Sequence, residues 1–329
     1  MDNAYYILAK EKINIERLHI CTWEFPSTSS YIEFGIEFPY ASFQNDSIIF
    51  YLSVPLVKKT DSVTCLQENI SDRDNGRFIF NDVVCGVDNV GEYSRDGSIL
   101  KFENRDNLTI LPCKIRVDDE QFALEVKNPK KHEGNIYIRV LVKLDNRTIA
   151  IKKKGIAQTT YTYDLKINET RNTPEKIYKD KIEKGLQVCP IKNLFCLHSV
   201  PDDFEFSFID NSKLKNIRKL EAEAFKKYLK DVKDIGKDCY NIIFLKDSGK
   251  ESYSLFSICT EETIGSEQIM LAIGANILCS LLFGLSSLRF IKNPNIEWYR
   301  QMPWEYWGAL VILILLLICL RCRTFKKRF

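Results

Sequence analysis

Two apolar segments near the carboxyl end, Gln268–Ile291 and Trp304–Leu320, constrain this chain more than any other feature of it. A run of about 20 apolar residues reaches across a bilayer as a helix, because a helix satisfies its own backbone amides where hydrocarbon cannot. The pair and its short aromatic-rich loop predict a two-helix transmembrane hairpin over 265–320 (spans 268–291 and 304–320), followed by a basic tail at 321–329. Basic residues resist translocation, so Arg321, Arg323, Lys326, Lys327 and Arg328 place the tail in the cytoplasm. A hairpin then returns the amino-terminal part to the same side, which predicts an integral membrane protein with both termini cytoplasmic. Trp298, Trp304, Tyr306 and Trp307 are expected to form the interfacial belt on the far side.

The first span carries Ala272, Asn276, Ser280 and Gly284, each four residues after the last, so small and polar groups line one helical side. That side either packs on the second span of the same molecule or joins copies of the chain, with Asn276 specifying an oligomer. The expected partners are therefore the bilayer and a second copy of the hairpin.

The rest of the chain is polar enough for water. The stretch from Ser266 onward holds eight of the 47 basic residues and three of the 44 acidic ones, leaving the remainder at a net charge of −2. No electrostatic case for nucleic acid exists in a nearly neutral domain. Eight cysteines precede Ser266, most flanked by apolar residues, as small buried hydrophobes in a reducing compartment would be. The first 30 residues hold no apolar run of secretory length, so the Asn-x-Ser/Thr triplets at Asn45, Asn69, Asn107, Asn146 and Asn168 are read as fortuitous.

From Ile13 to about Leu165, short runs of Ile, Val, Tyr and Phe alternate with polar residues between turn signals. Strands are expected at Ile13–Trp23, Ile32–Phe38, Ser47–Val54, Arg77–Val84, Ser98–Phe102, Thr109–Val117 and Phe122–Val126, then at Gly134–Leu144, Thr148–Lys153 and Thr159–Ile167. Asn75-Gly76 and Asp96-Gly97 read as tight turns. This predicts a mainly β domain over 1–167, an antiparallel sandwich or barrel. A break at 168–174 opens a small α+β domain over 168–264. In it, Pro174 starts a helix over Glu175–Leu186, and strands are expected at Phe204–Phe208, Tyr240–Leu245 and Ser252–Ile258. The stripe Leu214, Ile217, Leu220, Ala224, Tyr228, Val232, Ile235 predicts a long basic amphipathic helix at 212–235.

Catalytic templates fail. Gly249-Lys250 lacks the upstream glycine of a phosphate-binding loop, no Gly-x-Ser-x-Gly elbow occurs, and no His-Glu-x-x-His pair offers two zinc ligands on one helical face. Cys189, Cys196 and His198 are weak metal-ligand candidates whose spacing is looser than a zinc knuckle. His19 reads as a packed or surface imidazole in a strand. No cofactor is expected. The leading expectation is a non-enzymatic sensor or effector whose β-rich domain binds a ligand or protein and controls how the hairpins associate. A passive membrane-anchored adaptor and a membrane-bound enzyme with a dispersed site are the alternatives.

Overall fold

Period-two alternation of Ile, Val and Leu builds two mixed sheets, where purely antiparallel pairing was expected. The computed structural model describes residues 4–25, 30–54, 63–118, 121–144, 149–155, 157–230, 232, 235, 239–262, 264, 266–292, 308 and 311. In chain order, β1 (Ala4–Ala9), β2 (Ile15–Glu24), β3 (Ser30–Phe38), β4 (Ser47–Ser53) and β5 (Val63–Cys65) precede two helices, α1 (Gln67–Ile70) and α2 (Arg73–Phe80). There follow β6 (Val84–Asn89), β7 (Ser98–Phe102), β8 (Leu108–Ile110), β9 (Cys113–Asp118), β10 (Gln121–Lys127), β11 (Asn135–Leu144), β12 (Ile151–Lys154) and β13 (Gln158–Ile167). Then come α3 (Glu175–Glu183), β14 (Gln187–Val188), β15 (Ile191–Pro201), β16 (Phe204–Ile209) and β17 (Leu214–Glu221). The last elements are α4 (Glu223–Lys226), β18 (Cys239–Ser248), β19 (Tyr253–Glu262) and α5 (Ser266–Lys292).

The smaller sheet runs β16-β19-β13-β1-β4-β10-β9, with β12 beside β13 and β14 beside β1. The larger runs β17-β18-β15-β2-β3-β11-β8-β7-β6, with β5 beside β11. Three parallel pairs, β1 with β13, β2 with β15 and β8 with β11, make both sheets mixed. The main apolar cluster draws Ile7, Phe50 and Leu124 from one sheet and Ile20, Phe34 and Val140 from the other, so the sheets face each other across it. Helix α3 covers the outer face of the smaller sheet through Ile177, against Tyr6 and Leu8.

The division at 167/168 does not correspond to a domain boundary. Strand β15 lies between β2 and β18 in the middle of the larger sheet, paired in register from Leu194↔Leu18 to Ser199↔Trp23. Met1–Lys154 and Thr159–Glu261 accordingly form one compact unit, and Gly155–Gln158 with Glu262–Phe329 a second. The pairing of β15 with β2 spans some 170 residues of sequence, which no local pattern encodes.

The helix expected at 212–235 is corrected in its first half. Leu214–Glu221 is an edge strand antiparallel to β18, and among the described residues of this stretch only Glu223–Lys226 is α-helical. Long-range pairing with the open edge of β18 overrides a modest helical preference. The exposed Lys215 and Lys219 then discourage further pairing at that edge. The second half keeps helical turns, with Leu229 N–H donating to Phe225 O at 2.8 Å, and buries Phe225, Tyr228 and Leu229.

The strand expected at Arg77–Val84 is the end of α2 instead, and Asn75-Gly76 lies inside that helix rather than in a turn. Asp72 caps it by accepting from the backbone N–H groups of Asp74 and Asn75 at 3.0 and 3.3 Å. Gly76 permits close approach to the sheet, because a Cβ there would stand 3.2 Å from Leu100 Cδ1. Strand β11 buries both of its faces, and Arg139, which alternates with Ile138 and Val140, is fully enclosed.

In the second unit α5 runs for 27 residues. Among the described residues, no helix is long and apolar enough to cross a membrane. The span 304–320, its aromatics Trp298, Trp304, Tyr306 and Trp307, and the tail Arg321, Arg323, Lys326, Lys327 and Arg328 lie outside the described residues, Gly308 and Val311 excepted.

Candidate functional site

The outer face of the larger sheet holds side chains unlike the aliphatic ones between the sheets. Alternation along β2 sends Leu18 and Ile20 inward, into the core between the sheets, and puts Cys21 and Trp23 among the residues packed on the outer side. Register places Glu33 opposite Cys21 and Gly35 opposite both His19 and Arg139. Helices α1 and α2 and the segment 222–232 close over this surface, burying Ile70, Ile79, Phe225 and Tyr228 against it.

Beneath that cover lies a charged network without water-facing surface. Arg139 donates through Nε to Glu33 Oε2 at 2.6 Å, through Nη1 to Tyr137 Oη at 2.8 Å and through Nη2 to Cys21 Sγ at 2.8 Å. Glu33 also accepts from Trp23 Nε1 and from Tyr228 Oη, each at 2.7 Å. A buried ion pair persists only where its remaining donors and acceptors are met, and four further side chains, Tyr137, Cys21, Trp23 and Tyr228, meet those of this one. Gly35 makes the space: a Cβ there would stand 1.9 Å from Tyr137 Oη. Tyr137 Oη is also 3.0 Å from His19 Nδ1. Burial, followed by the charges of Arg139, Arg105 and Arg17, pulls His19 well below its ordinary pKa, so the imidazole is neutral at pH 7.

His19 is the inner end of a cleft of about 320 Å³, within the range of small-molecule sites. Its floor includes Phe195, Leu197 and Phe244, with Phe80 from α2. Its walls carry Arg17, Arg105, Lys215, Arg218 and Lys246. Glu37 answers two of these, at 3.7 Å from Arg17 and 3.3 Å from Arg105. Lys246 lies over the Phe195 ring at 5.3 Å and Arg218 over Phe244 at 5.8 Å, contacts that hold the cations without neutralising them. Arg105 Nε is buried with no hydrogen-bond partner among the described residues. Cationic groups therefore outnumber carboxylates at an aromatic-floored recess. A broader cleft of about 890 Å³, at Arg95, Lys114 and Lys127, mixes these with Glu92, Asp96 and Glu125 and so selects no ligand charge.

The metal-ligand candidates do not converge. Cys189 and Cys196 are packed among the aliphatic residues between the sheets. His198 Nδ1 is 2.6 Å from Thr22 Oγ1, and its ring stands edge-on to Tyr163 at 4.1 Å. No cluster of three or more His, Cys, Asp or Glu suited to a metal occurs among the described residues. Ala272, Asn276, Ser280 and Gly284 all lie on α5 and are exposed.

Of the cleft and network, sequence reasoning named His19 as a strand imidazole, Cys196 as a metal-ligand candidate, and Tyr228, Lys215 and Arg218 within the helix expected at 212–235. A usable signal was present: Glu33, Gly35 and Arg139 interrupt strands otherwise made of β-branched and aromatic residues. Among the triplets read as fortuitous, Asn168 is fully buried, and the Asn69 and Asn107 amides donate to Tyr228 O and Glu133 Oε2 at 2.6 and 2.7 Å. No protein-family model matches the chain, and no curated protein matches it.

Proposed function

We propose that this chain is a membrane-attached receptor whose β-rich unit binds a small anionic ligand with an aromatic or apolar part, and whose carboxyl-terminal hairpin responds by changing its association. The observation that carries the ligand class is the excess of cations at the aromatic-floored cleft: Arg218, Lys215 and Lys246 have no carboxylate partner among the described residues. A neutral His19 adds an orienting hydrogen-bond group at its inner end and no charge. The cysteine in its lining, Cys196, is buried and held protonated, so recognition is favoured over catalysis.

Supporting membrane attachment, Ile269–Leu288 contains no charged residue. Ile269, Ile273, Ile277 and Phe283 are exposed on one side of α5 and Leu271 and Leu278 on the opposite side, and apolar residues exposed on both sides of a helix call for an apolar surround. Asn276 supplies an amide able to pair across copies.

Titration of the detergent-solubilised full chain with anilinonaphthalene sulfonate, an anionic aromatic probe, tests the receptor reading. Lys215→Glu and Lys246→Glu are expected to weaken binding by roughly tenfold or more without lowering Tm. Unchanged affinity in both variants overturns it. Asn276→Leu is expected to change oligomer size in detergent, and recovery of the full chain in the aqueous fraction without detergent overturns membrane attachment.

A further inference from the structure

Cys65 and Cys113 come together from different sheets. Cys65 ends β5, on the larger sheet through Val140↔Cys65, and Cys113 begins β9, at the edge of the smaller sheet. The Cys113 backbone N–H donates to Cys65 Sγ at 3.5 Å. Cys65 Sγ thus accepts a backbone donor and is partly exposed, while Cys113 lines the broad cleft that holds Arg95, Lys114, Lys127 and Lys130 with Glu92, Asp96 and Glu125.

The other cysteines set a contrast. Burial pushes Cys21 and Cys189 up to about 12 and raises Cys196 and Cys259 further, so these thiols stay protonated and inert. Cys65 moves downward, because its neighbours, the Cys113 thiol first, donate to the thiolate form. Cys113 moves upward for the same reason seen from the other side.

We propose that Cys65 and Cys113 form a thiol–disulfide exchange site, in which Cys65 attacks a small disulfide such as oxidised glutathione and Cys113 resolves the adduct. Cys65 thiolate displaces one glutathione thiolate and forms a mixed disulfide. That released thiolate takes the Cys113 proton. Cys113 then attacks the Cys65 sulfur and expels the second glutathione as thiolate. The two protein thiols are oxidised, one glutathione disulfide is reduced, and no other oxidant is needed. The product staples β5 of one sheet to β9 of the other.

The test treats the full chain with oxidised glutathione, blocks remaining thiols with N-ethylmaleimide and maps the peptides by mass spectrometry, with exposed Cys85 as internal reference. A Cys65–Cys113 linked peptide and a Tm raised by several degrees are expected. Cys113→Ser is expected to accumulate the glutathione adduct on Cys65, and Cys65→Ser to leave Cys113 unmodified. Recovery of both cysteines as singly blocked thiols while Cys85 is glutathionylated overturns the proposal. So does an adduct forming on Cys113 in the Cys65→Ser chain as fast as any forms in the parent.

Discussion

Arg139 and Glu33 meet at 2.6 Å with both side chains wholly enclosed, between adjacent strands of one sheet. Removing one partner leaves the other charge buried and uncompensated. Glu33→Ala and Arg139→Ala are each expected to cost about 3–5 kcal/mol in urea unfolding. The double variant Glu33→Leu/Arg139→Met is expected to lose much less than the sum of the two single losses. Additive losses would show that the pair is not coupled.

Gly35 tests the space that network requires. Gly35→Ala drives a methyl group into Tyr137 Oη and stands within 3.2 Å of Arg139 Nη1, so about 1–3 kcal/mol of stability is expected to be lost. Gly86→Ala, whose new Cβ would meet only Lys101 at 3.8 Å, is the control and is expected to change the urea midpoint little.

Two buried groups give stability opposite dependences on pH. Burial raises Glu24 from 4.5 to about 7, against the hydrogen bonds it accepts from Ser30 Oγ and Ile149 N–H. The folded state therefore holds a proton that the unfolded chain has released, and stability falls as pH rises from 4.5 through 7, by about 3 kcal/mol. Burial lowers His198 from 6.5 to about 3, so there the unfolded chain binds the proton first and stability falls as pH drops below 6.5. Glu24→Gln is expected to be more stable than the parent at pH 8, and to gain stability between pH 4.5 and 6.5 where the parent stays nearly level. Urea midpoints across that range check both.

Salt reads the character of the cleft. Anilinonaphthalene sulfonate binding is expected to weaken as ionic strength rises, because exposed cations are screened over about 10 Å at 0.1 M. Phe195→Ala is expected to lower affinity while keeping the salt slope. Arg218→Gln is expected to flatten that slope. Fluorescence titrations at three salt concentrations separate the apolar from the charged contribution.

Asn168 closes β13 with a left-handed backbone, φ 51°. Its side chain accepts from Ile7 N–H at 3.2 Å and donates to Cys189 O at 3.0 Å. Asn168→Ala loses both bonds and retains the strained backbone, so about 2–4 kcal/mol is expected to be lost. Asn168→Gly, relieved of the backbone strain, is expected to lose less. Equal Tm values for the two variants would assign the whole effect to the side chain.

Local pattern carried the sequence reading a long way on strands such as β3, β4, β10 and β11. Each has period-two aliphatic residues between turn signals, and side-chain direction along a strand is fixed by its own backbone. Helix α3 was legible from Pro174 for an equally local reason. The apolar run from Ile269 onward was legible too, because a continuous absence of charge needs no partner to be recognised.

What only the tertiary structure decided depends on residues distant in sequence. The second half of the chain joined the sheets of the first because β15 found a parallel berth beside β2. Leu214–Glu221 became an edge strand because β18 offered an unpaired row of amides. The same dependence hid the site. Glu33 and Arg139 look like solvent-facing strand residues until α2 and Tyr228 cover them, and Lys215 and Arg218, expected on a helix over 212–235, meet Lys246 in one recess only because β17 pairs with β18. Alternation along one strand specifies which side chains share a face, but the burial of that face is set by whatever distant segment packs upon it.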